Sequence, residues 1–299
     1  MSVQAEKLAD KLADVGIRAA LPRKGRRLRA FLRNPTFVAG VVILALIFLV
    51  ALGADLICPG DPQDIVGPPA QWPGENAEFP LGTDSLGRDV LSGLVHGARA
   101  SLLVGLSAAA IGLAIGMAIG AVGGFFGGWV DLALMRIVEL FQTTPTFLLI
   151  IVIVAIGEPT MRTIALAIGL ASWPTVARLV RAQFRSLRES DFVMAARSLG
   201  YSNLRIIAQE ILPNALPPVI VAASVMIANA ILTEAGLSFL NMRDPNVVSW
   251  GGMIGDGRDL LRTAWFLTAL PGVAIAATVL SLNLVGDGLN EILNPRTDQ

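Results

Sequence analysis

Residues 190–218 read SDFVMAARSLGYSNLRIIAQEILPNALPP, and this stretch fixes how the rest of the chain must be arranged. The stretch is polar and helix-forming, yet it lies between long uncharged segments that are typical of membrane spans. Asp191 can accept backbone N–H groups at a helix start, and Gly200 suits the left-handed residue that ends many helices. The pattern predicts an elbow of two short helices, residues 186–212, between two spans.

The elbow has the composition of a protein contact surface. Ala195 and Ala196 leave little side-chain bulk, so another surface can approach closely, and Arg197 can serve as its polar rim. Ser202 can cap the second helix, before Leu212 and Pro213 lead into the next span. The other residues assigned to this surface are Ser190, Asp191, Phe192, Met194, Leu199, Gly200 and Tyr201. The alternative is an interfacial helix that rests on lipid without a partner.

Composition places the chain in a membrane. Of its 299 residues, 54% are hydrophobic and 15% are charged, and the charges fall in blocks that are separated by long gaps. No ionisable residue occurs between Arg99 and Asp131, and a helix needs only about 20 residues to cross a bilayer. Six spans are predicted, over residues 36–57, 100–122, 131–156, 160–182, 214–239 and 264–290. The expected fold class is an all-α integral membrane protein.

The distribution of Lys and Arg predicts the orientation of the chain. Basic residues are concentrated in the first 35 residues and around the elbow, which predicts that both regions are cytoplasmic. An even number of spans then places both termini in the cytoplasm. The predicted parts are a cytoplasmic N-terminal segment with an amphipathic helix (1–35), the first span with an outer loop (36–98), a five-span domain that contains the elbow (99–292) and a cytoplasmic tail (293–299).

Glycines recur at every fourth residue in and after the second predicted span, so they share one stripe of a helix. They are Gly112, Gly116, Gly120, Gly124 and Gly128. Ridges of small residues let two membrane helices approach closely, so this stripe predicts a helix-packing ridge. A sliding surface for a conformational change is the alternative interpretation.

Charged residues at membrane depth are candidates for function. Glu234 lies near the outer end of the fifth span beside Asn229 and Thr233. These three side chains could line a translocation cavity, or Glu234 could have a structural hydrogen-bonding role. Arg136 and Glu139 are three residues apart, which predicts a local ion pair.

Several classes of chemistry are disfavoured. Cys58 and His96 are the only residues of their types, which excludes a disulfide framework and a multi-ligand His or Cys metal site within the chain. No cluster of His, Cys or carboxylate residues has catalytic spacing, so no catalytic residue and no metal site are predicted. No G-x-x-x-x-G-K-[ST] phosphate loop occurs, so ATP is not expected to bind to this chain. No nucleic-acid partner is expected either.

The elbow resembles a known signature. Its Ala-Ala pair, then Gly200, then the Leu-Pro pair that ends at Pro213 resemble the signature loop of bacterial ABC-importer membrane subunits. Met194 occupies the position where that motif usually has Glu. Residues 81–105, LGTDSLGRDVLSGLVHGARASLLVG, resemble the second permease subunit of peptide importers. Further similarity lies in residues 33–40, 178–200, 232–240 and 249–254.

This resemblance implies the transmembrane-domain fold of a type I ABC importer in the inner membrane of a bacterium. The chain would pair with a homologous second permease subunit to form a heterodimeric pore. Two ABC ATPase subunits would bind ATP and Mg, and an extracytoplasmic binding protein would deliver the substrate, which the resemblance implies is a di- or oligopeptide. The elbow would then couple ATPase motion to gating by alternating access.

A self-sufficient secondary transporter or channel is the alternative that six spans also permit. Such carriers tend to contain internal repeats and ionisable residues near the bilayer midplane. Here the central thirds of the long spans carry no charge, which disfavours that reading. Co-purification with ATPase subunits would favour the importer, and ion-driven uptake by this chain alone would favour the rival.

Overall fold

The structure, a computed structural model, describes residues 34–293 as a bundle of helices. The helices are α1 Pro35–Leu52, α2 Ala54–Ile57, α3 Val90–Phe126, α4 Gly128–Thr143, α5 Thr146–Ile156, α6 Met161–Arg188, α7 Asp191–Ser198, α8 Asn203–Phe239, α9 Trp250–Gly257 and α10 Phe266–Leu293. Among these described helices, α1, α3, α6, α8 and α10 are long and apolar enough to cross a membrane. The bent pair α4 and α5 makes a sixth span if it crosses as one segment. The predicted all-α integral membrane fold is confirmed.

The two ends of the bundle differ. The elbow end carries residues 189–203, and the loop end carries residues 58–89 and 240–265. At the elbow end, Asn34 Nδ2 donates a hydrogen bond of 2.6 Å to Glu291 Oε2, so both ends of the described chain lie together. This proximity is what an even number of crossings produces.

Two earlier expectations concern parts of the chain beyond these helices. The amphipathic helix expected before the first span and the tail expected after the last one lie outside the described residues. The cytoplasmic placement of both termini and the division of the chain into four parts stay predictions.

The third predicted span consists of two helices. α4 and α5 meet at an angle of 83° around Thr144 and Pro145. Thr144 has extended backbone angles, φ −87° and ψ 130°, because a residue before proline avoids the helical region. Pro145 has no N–H to donate and its ring conflicts with a continued helix, so α4 ends there. Residues 131–156, predicted as the third span, are therefore two helices that meet at a bend and can cross the membrane as one segment.

α3 and α6 pack against each other along most of their length. The residues of α3 that face α6 include Gly112, Gly116, Gly120 and Gly124. A Cβ added at Gly116 would lie 2.5 Å from Val176 Cβ, and one added at Gly120 would lie 2.5 Å from the carbonyl oxygen of Ala177. Only glycine allows the two backbones to approach this closely, so any side chain here would separate the helices.

Gly128 does not belong to this ridge. α3 ends at Phe126, and Gly127, with φ +66°, turns the chain into α4. A Cβ at Gly128 would meet nothing within 4 Å. The prediction that the ridge extends to Gly128 is wrong, because the four-residue spacing continues past the end of the helix.

The loop end is a folded cap on the bundle. Gln63 Nε2 donates a hydrogen bond of 3.1 Å to the carbonyl oxygen of Pro245, which joins the first long loop to the last. The ring of Trp72 packs on that of Phe266 at the start of α10, with the ring centroids 5.4 Å apart. Two loops that are far apart in sequence thus form one surface.

Candidate functional site

The first helix of the elbow, α7, has a defined start and a defined end. Ser190 occupies the cap position and Asp191 is the first helical residue, so the helix starts one residue earlier than predicted. The negative charge of Asp191 is stabilised there by the positive end of the helix dipole. Gly200 has φ +80°, and its N–H donates at 2.9 Å to the carbonyl three residues before it. Tyr201 N–H donates to the carbonyl oxygen of Ala196 at 3.1 Å. These two bonds form a Schellman motif, which turns the chain sharply after α7.

One side of α7 is buried in the bundle. Val193 and Ala196 belong to a hydrophobic cluster with Phe184 of α6 and Ile206 of α8. The prediction that Ala196 lies open to a partner is therefore wrong, whereas Ala195 is exposed. Val193 was not among the residues predicted for the elbow surface. Its spacing of three residues from Ala196 was the signal, because residues that far apart share one helix face.

The opposite side of α7 is exposed and largely apolar. We define the elbow face as Phe192, Met194, Ala195, Leu199 and Leu204, all exposed. Leu199 is 73% exposed and Leu204, which the predicted surface did not include, is 76% exposed. Tyr201 does not belong to this face, because it is half-buried and Arg205 Cζ lies 3.8 Å from its ring centroid.

The second helix of the elbow runs into the next span without a break. Ser202 Oγ accepts a hydrogen bond of 3.4 Å from Arg205 N–H, so Ser202 caps α8 as predicted. Pro213 was expected to open the span, but α8 continues through it. The helix widens to a π-helical turn just before Pro213, where Leu212 N–H donates to Ile207 O five residues back. This turn accommodates a proline that cannot donate to the helical ladder.

The elbow is fastened to α3, and the neighbouring end of α6 is fastened to α4. Arg197 Cζ lies 5.8 Å from the ring centroid of Phe125 near the end of α3. Arg188 Nη1 donates a hydrogen bond of 3.1 Å to the carbonyl oxygen of Phe125. Arg181 Nη2 donates at 2.6 Å to Asp131 Oδ2 at the start of α4. The elbow thus contacts α3, and α6 is joined to both α3 and α4 near this end of the bundle.

The three residues that were expected near a cavity separate into two groups. Glu234 is buried, and its Oε1 accepts hydrogen bonds from Ser238 at 2.9 Å and from Ser249 at 2.7 Å. It ties α9 to α8 and faces no open space. Asn229 is exposed, and Thr233 Oγ1 donates to its backbone carbonyl at 2.7 Å. Of the three, only Asn229 and Thr233 could line a passage.

Ionisable groups at the loop end are arranged for structure. Within residues 34–293, no group of three or more His, Cys, Asp or Glu side chains could hold a metal ion. A 3.0 Å hydrogen bond from Arg99, together with its positive charge, lowers the pKa of the Asp55 carboxyl below its usual value. His96 Nε2 lies 3.5 Å from Asp55 Oδ1. Burial raises the pKa of the Cys58 thiol, so this thiol is a poor nucleophile near neutral pH.

Comparison with known proteins agrees with this arrangement. Residues 110–299 match the family described as binding-protein-dependent transport system inner membrane component. This chain belongs to that family. Residues 25–73 match a second family, described as the N-terminal TM domain of oligopeptide transport permease C.

Individual relatives cover almost the whole chain. The dipeptide transport system permease protein DppC of Escherichia coli (strain K12) is 42% identical over 275 residues, which cover 90% of this chain and 92% of the relative. The di/tripeptide transport system permease protein DppC of Pseudomonas aeruginosa (strain UCBPP-PA14) is 38% identical over 274 residues, which cover 90% of each. A chain from inward facing conformations of the MetNI methionine ABC transporter has a TM-score of 0.56 at 18% identity. That likeness covers 67% of this chain and 96% of the other, and it shows the shared fold alone.

Membership of this family confirms the main predictions from the sequence. The chain is an inner-membrane permease component of a bacterial binding-protein-dependent importer, with the fold of type I ABC importer permeases. Like its relatives, it is a transport subunit and not an enzyme. The rival interpretation, a self-sufficient secondary transporter or channel, has no support among these relatives.

Proposed function

We propose that this chain is one of two homologous subunits that form the pore of an ATP-driven importer of di- or oligopeptides. Two ABC ATPase subunits bind ATP and Mg and dock at the elbow end. An extracytoplasmic binding protein docks at the loop end. The observation that carries this proposal is the exposed elbow face on a helix that is anchored to the bundle.

The elbow face has the properties of a docking surface for a protein. Four of its five side chains are large, exposed apolar groups within thirteen residues of the chain, and such a concentration of exposed apolar groups is typical of an interaction site. A cavity of about 590 Å³ beside it is lined by Phe126, Met194, Arg197 and Asn203, among others, and can receive a projecting side chain. Its mixture of apolar, Arg and polar lining suits a protein partner better than lipid tails.

The buried side of α7 supplies the mechanical connection. Val193 and Ala196 contact α6 and α8, and Arg197 contacts α3. Closure of the ATPase subunits on ATP displaces α7, and these contacts carry the displacement into the spans. The loop end then opens to the binding protein, and hydrolysis returns the spans to the inward-open state. The direction of transport follows from which state binds each partner more tightly.

The substrate class comes from the relatives. The two described above are named for dipeptide and for di/tripeptide transport. We therefore assign di- or oligopeptides to this chain. The binding protein selects among them, because it meets the substrate first.

Crosslinking tests the docking of the ATPase subunits. In a Cys58→Ser background, Leu199→Cys and Met194→Cys place single thiols on the elbow face, and Leu261→Cys places one at the loop end, where Leu261 is 51% exposed. A crosslinker with one maleimide and one photoreactive benzophenone, which reacts with nearby C–H bonds, should join the first two variants, and not the third, to an ATPase subunit. Equal or absent crosslinking of all three would remove the elbow face as the docking surface.

Reconstitution tests the energy source. The complete complex in proteoliposomes should take up a labelled dipeptide only when ATP is present on the side of the elbow end and the binding protein on the side of the loop end. Uptake by this chain alone, driven by a proton or sodium gradient, would replace the proposed function with a secondary transporter.

A further inference from the structure

α4 carries polar side chains where a lipid-facing helix would carry none. Arg136 is 75% exposed and Glu139 59% exposed in this chain, and Gln142 and Thr143 are exposed as well. Arg136, Glu139 and Thr143 share one helix face by their spacing of three and four residues. Arg178 of α6 is exposed beside them. We define these five residues as the polar stripe.

The polar stripe lies at membrane depth. α4 runs beside α6, because Val138 is buried against Trp173 and Ala177, and the rings of Phe141 and Trp173 are 5.2 Å apart. Glu139 is therefore level with the part of α6 that lies about 20 Å along the helix from Met161. With Met161, the first residue of the apolar helix α6, placed at the loop-end boundary of a hydrocarbon core about 30 Å thick, the stripe extends from near the elbow-end boundary toward the middle.

Lipid is an unsuitable neighbour for this surface. Charged side chains within a membrane face a water-filled cavity or a protein, because burial in hydrocarbon leaves them without solvation. α1 shows the contrast, since every side chain from Phe37 to Leu52 is apolar and Leu46 is 58% exposed. The exposed side of α1 therefore suits lipid, whereas the polar stripe of α4 suits water or protein.

The break between α4 and α5 supports the same conclusion. Thr144 and Pro145 are exposed and non-helical at membrane depth. Irregular backbone at that depth is tolerated only where protein buries it or where it lines a water-filled cavity. Within residues 34–293 no segment covers these two residues. Water can solvate the backbone carbonyls that the end of α4 leaves without helical partners.

A second helix also exposes a polar group. The ring of Phe147, just after the break, would lie 3.5 Å from a Cβ placed on Gly236 of α8. Asn229 lies seven residues before Gly236, so it occupies the same face of α8, nearer the elbow end. Asn229 is exposed. α8 therefore exposes a polar group about two helical turns from its contact with α5.

The charges of the polar stripe have unused hydrogen-bonding capacity. Arg136 Nη1 donates to Glu139 Oε2 at 3.0 Å, and Arg178 Nη1 donates to Gln142 Oε1 at 3.2 Å. Each guanidinium has five N–H donors, and Glu139 keeps a second oxygen, so most of this capacity is unused among the described residues. A cation and an anion three residues apart match the carboxylate and the ammonium of a peptide.

We propose that the polar stripe lines a water-filled passage, and that Arg136 and Glu139 contact the two charged termini of a zwitterionic peptide as it crosses. This inference rests on the proposed function. The pairing between Arg136 and Glu139 opens when a peptide replaces it. Arg178 and Gln142 hold a further donor site beside it, and the apolar side chains nearby impose little selection on the peptide's own side chains.

Thiol accessibility tests whether the stripe faces water. The complete transporter with Cys58→Ser is the parent, and Thr143→Cys is compared with Leu46→Cys and Leu280→Cys, which are on exposed apolar faces. A charged, membrane-impermeant methanethiosulfonate should modify Thr143→Cys at least about tenfold faster than either control, because the thiolate forms only where water reaches. Saturating dipeptide with the binding protein should slow that reaction. Equal rates at all three positions would overturn the proposal.

Two further results separate this inference from its alternatives. If Thr143→Cys crosslinks to the second permease subunit and dipeptide does not protect it, the stripe is a subunit interface and the proposal fails. If the Cys58→Ser parent shows no ATP-driven dipeptide uptake, the proposed function fails first. If the parent takes up dipeptide normally but Thr143→Cys is unreactive, only the claim that the polar stripe faces water is overturned, and the proposed function stands.

Charge substitutions test the contact with the peptide termini. At saturating loaded binding protein, Arg136→Gln should lower uptake of a free dipeptide about tenfold and should reduce the preference over the same dipeptide with an amidated C-terminus, while the selection by the binding protein remains. Glu139→Gln should do the same for the preference over an N-acetylated dipeptide. The double variant Arg136→Glu with Glu139→Arg should recover part of the lost uptake. Unchanged preferences in both single variants would contradict the assignment.

Discussion

Gly200 offers the sharpest test of how the elbow works. It holds φ +80° at the end of α7. The two Schellman hydrogen bonds, donated by the N–H groups of Gly200 and Tyr201, fix the direction in which the chain leaves the helix. Gly200→Ala keeps the hydrogen-bonding groups but adds a Cβ. A Cβ there would meet nothing within 4 Å, so the substitution causes no clash within the chain. Its cost is purely conformational.

The size of that cost follows from the backbone. A residue other than glycine in the left-handed conformation loses about 1–2 kcal/mol relative to its preferred conformations. If docking requires the observed elbow, this penalty is added to the binding free energy of the ATPase subunits. A loss of that size corresponds to roughly 5- to 30-fold weaker binding. Gly200→Asn should lose less, because asparagine tolerates this conformation.

The assay is the affinity of the solubilised membrane subunits for the ATPase subunits, measured together with ATP hydrolysis that the loaded binding protein stimulates. Gly272→Ala is one control, since a Cβ there also meets nothing within 4 Å and no positive φ is required. Gly128→Ala is the second control, because it has φ +54° and open space but lies outside the elbow. If Gly200→Ala docks and couples as the wild type does, the elbow's shape does not control docking and the reasoning is refuted.

Three further substitutions test the packing of the bundle. Gly116→Leu should destabilise the assembled transporter by about 3 kcal/mol or more, because its Cβ would lie 2.5 Å from Val176 Cβ, whereas Gly272→Leu should be tolerated in thermal unfolding. Glu234→Ala should cost about 2–5 kcal/mol and raise hydrogen exchange in α9, since two buried serine hydroxyls lose their acceptor. Trp250→Phe should cost about 1 kcal/mol in the same unfolding measurement, by removing a 2.8 Å hydrogen bond from Nε1.

Each of these outcomes can fail separately. An unchanged melting temperature for Gly116→Leu would mean that α3 and α6 can separate at the ridge without loss. Unchanged exchange in α9 for Glu234→Ala would mean that other contacts hold α9. Glu234→Gln, which keeps an acceptor oxygen, should be milder than Glu234→Ala, and equal costs for the two variants would assign the effect to the lost carboxylate charge.

The membrane spans could be predicted because charge is excluded from hydrocarbon, so gaps between charged residues mark the crossings directly. Prolines were harder to interpret. Pro145 ends a helix, but Pro174 lies buried inside α6 and Pro213 lies within the continuous α8. α6 is held against α3 on both sides of its proline, whereas α4 has few buried side chains to keep it straight. The effect of a proline thus depends on contacts that a single segment does not reveal.

The elbow shows the same limit on a smaller scale. Its helix start, its glycine turn and its second cap follow from local hydrogen bonding, and these were predicted to within a residue. Which of two adjacent alanines faces a partner depends on the rotation of α7 about its axis. That rotation is set by Val193, which packs on Phe184 about ten residues away. Ala196 is buried as a consequence, and Ala195 is exposed.

These contacts also indicate where the bundle should bend. Val193 joins the elbow to Phe184 on α6, and the glycine ridge, with Gly116 against Val176, holds α6 to α3 without intervening side chains. A displacement at the elbow should therefore move α3 and α6 as one body, because close-packed helices do not slide without separating. The break at Pro145 has no comparable packing, and it lies next to the polar stripe. We expect the angle between α4 and α5 to absorb the motion, so that the polar stripe moves while the core keeps its packing.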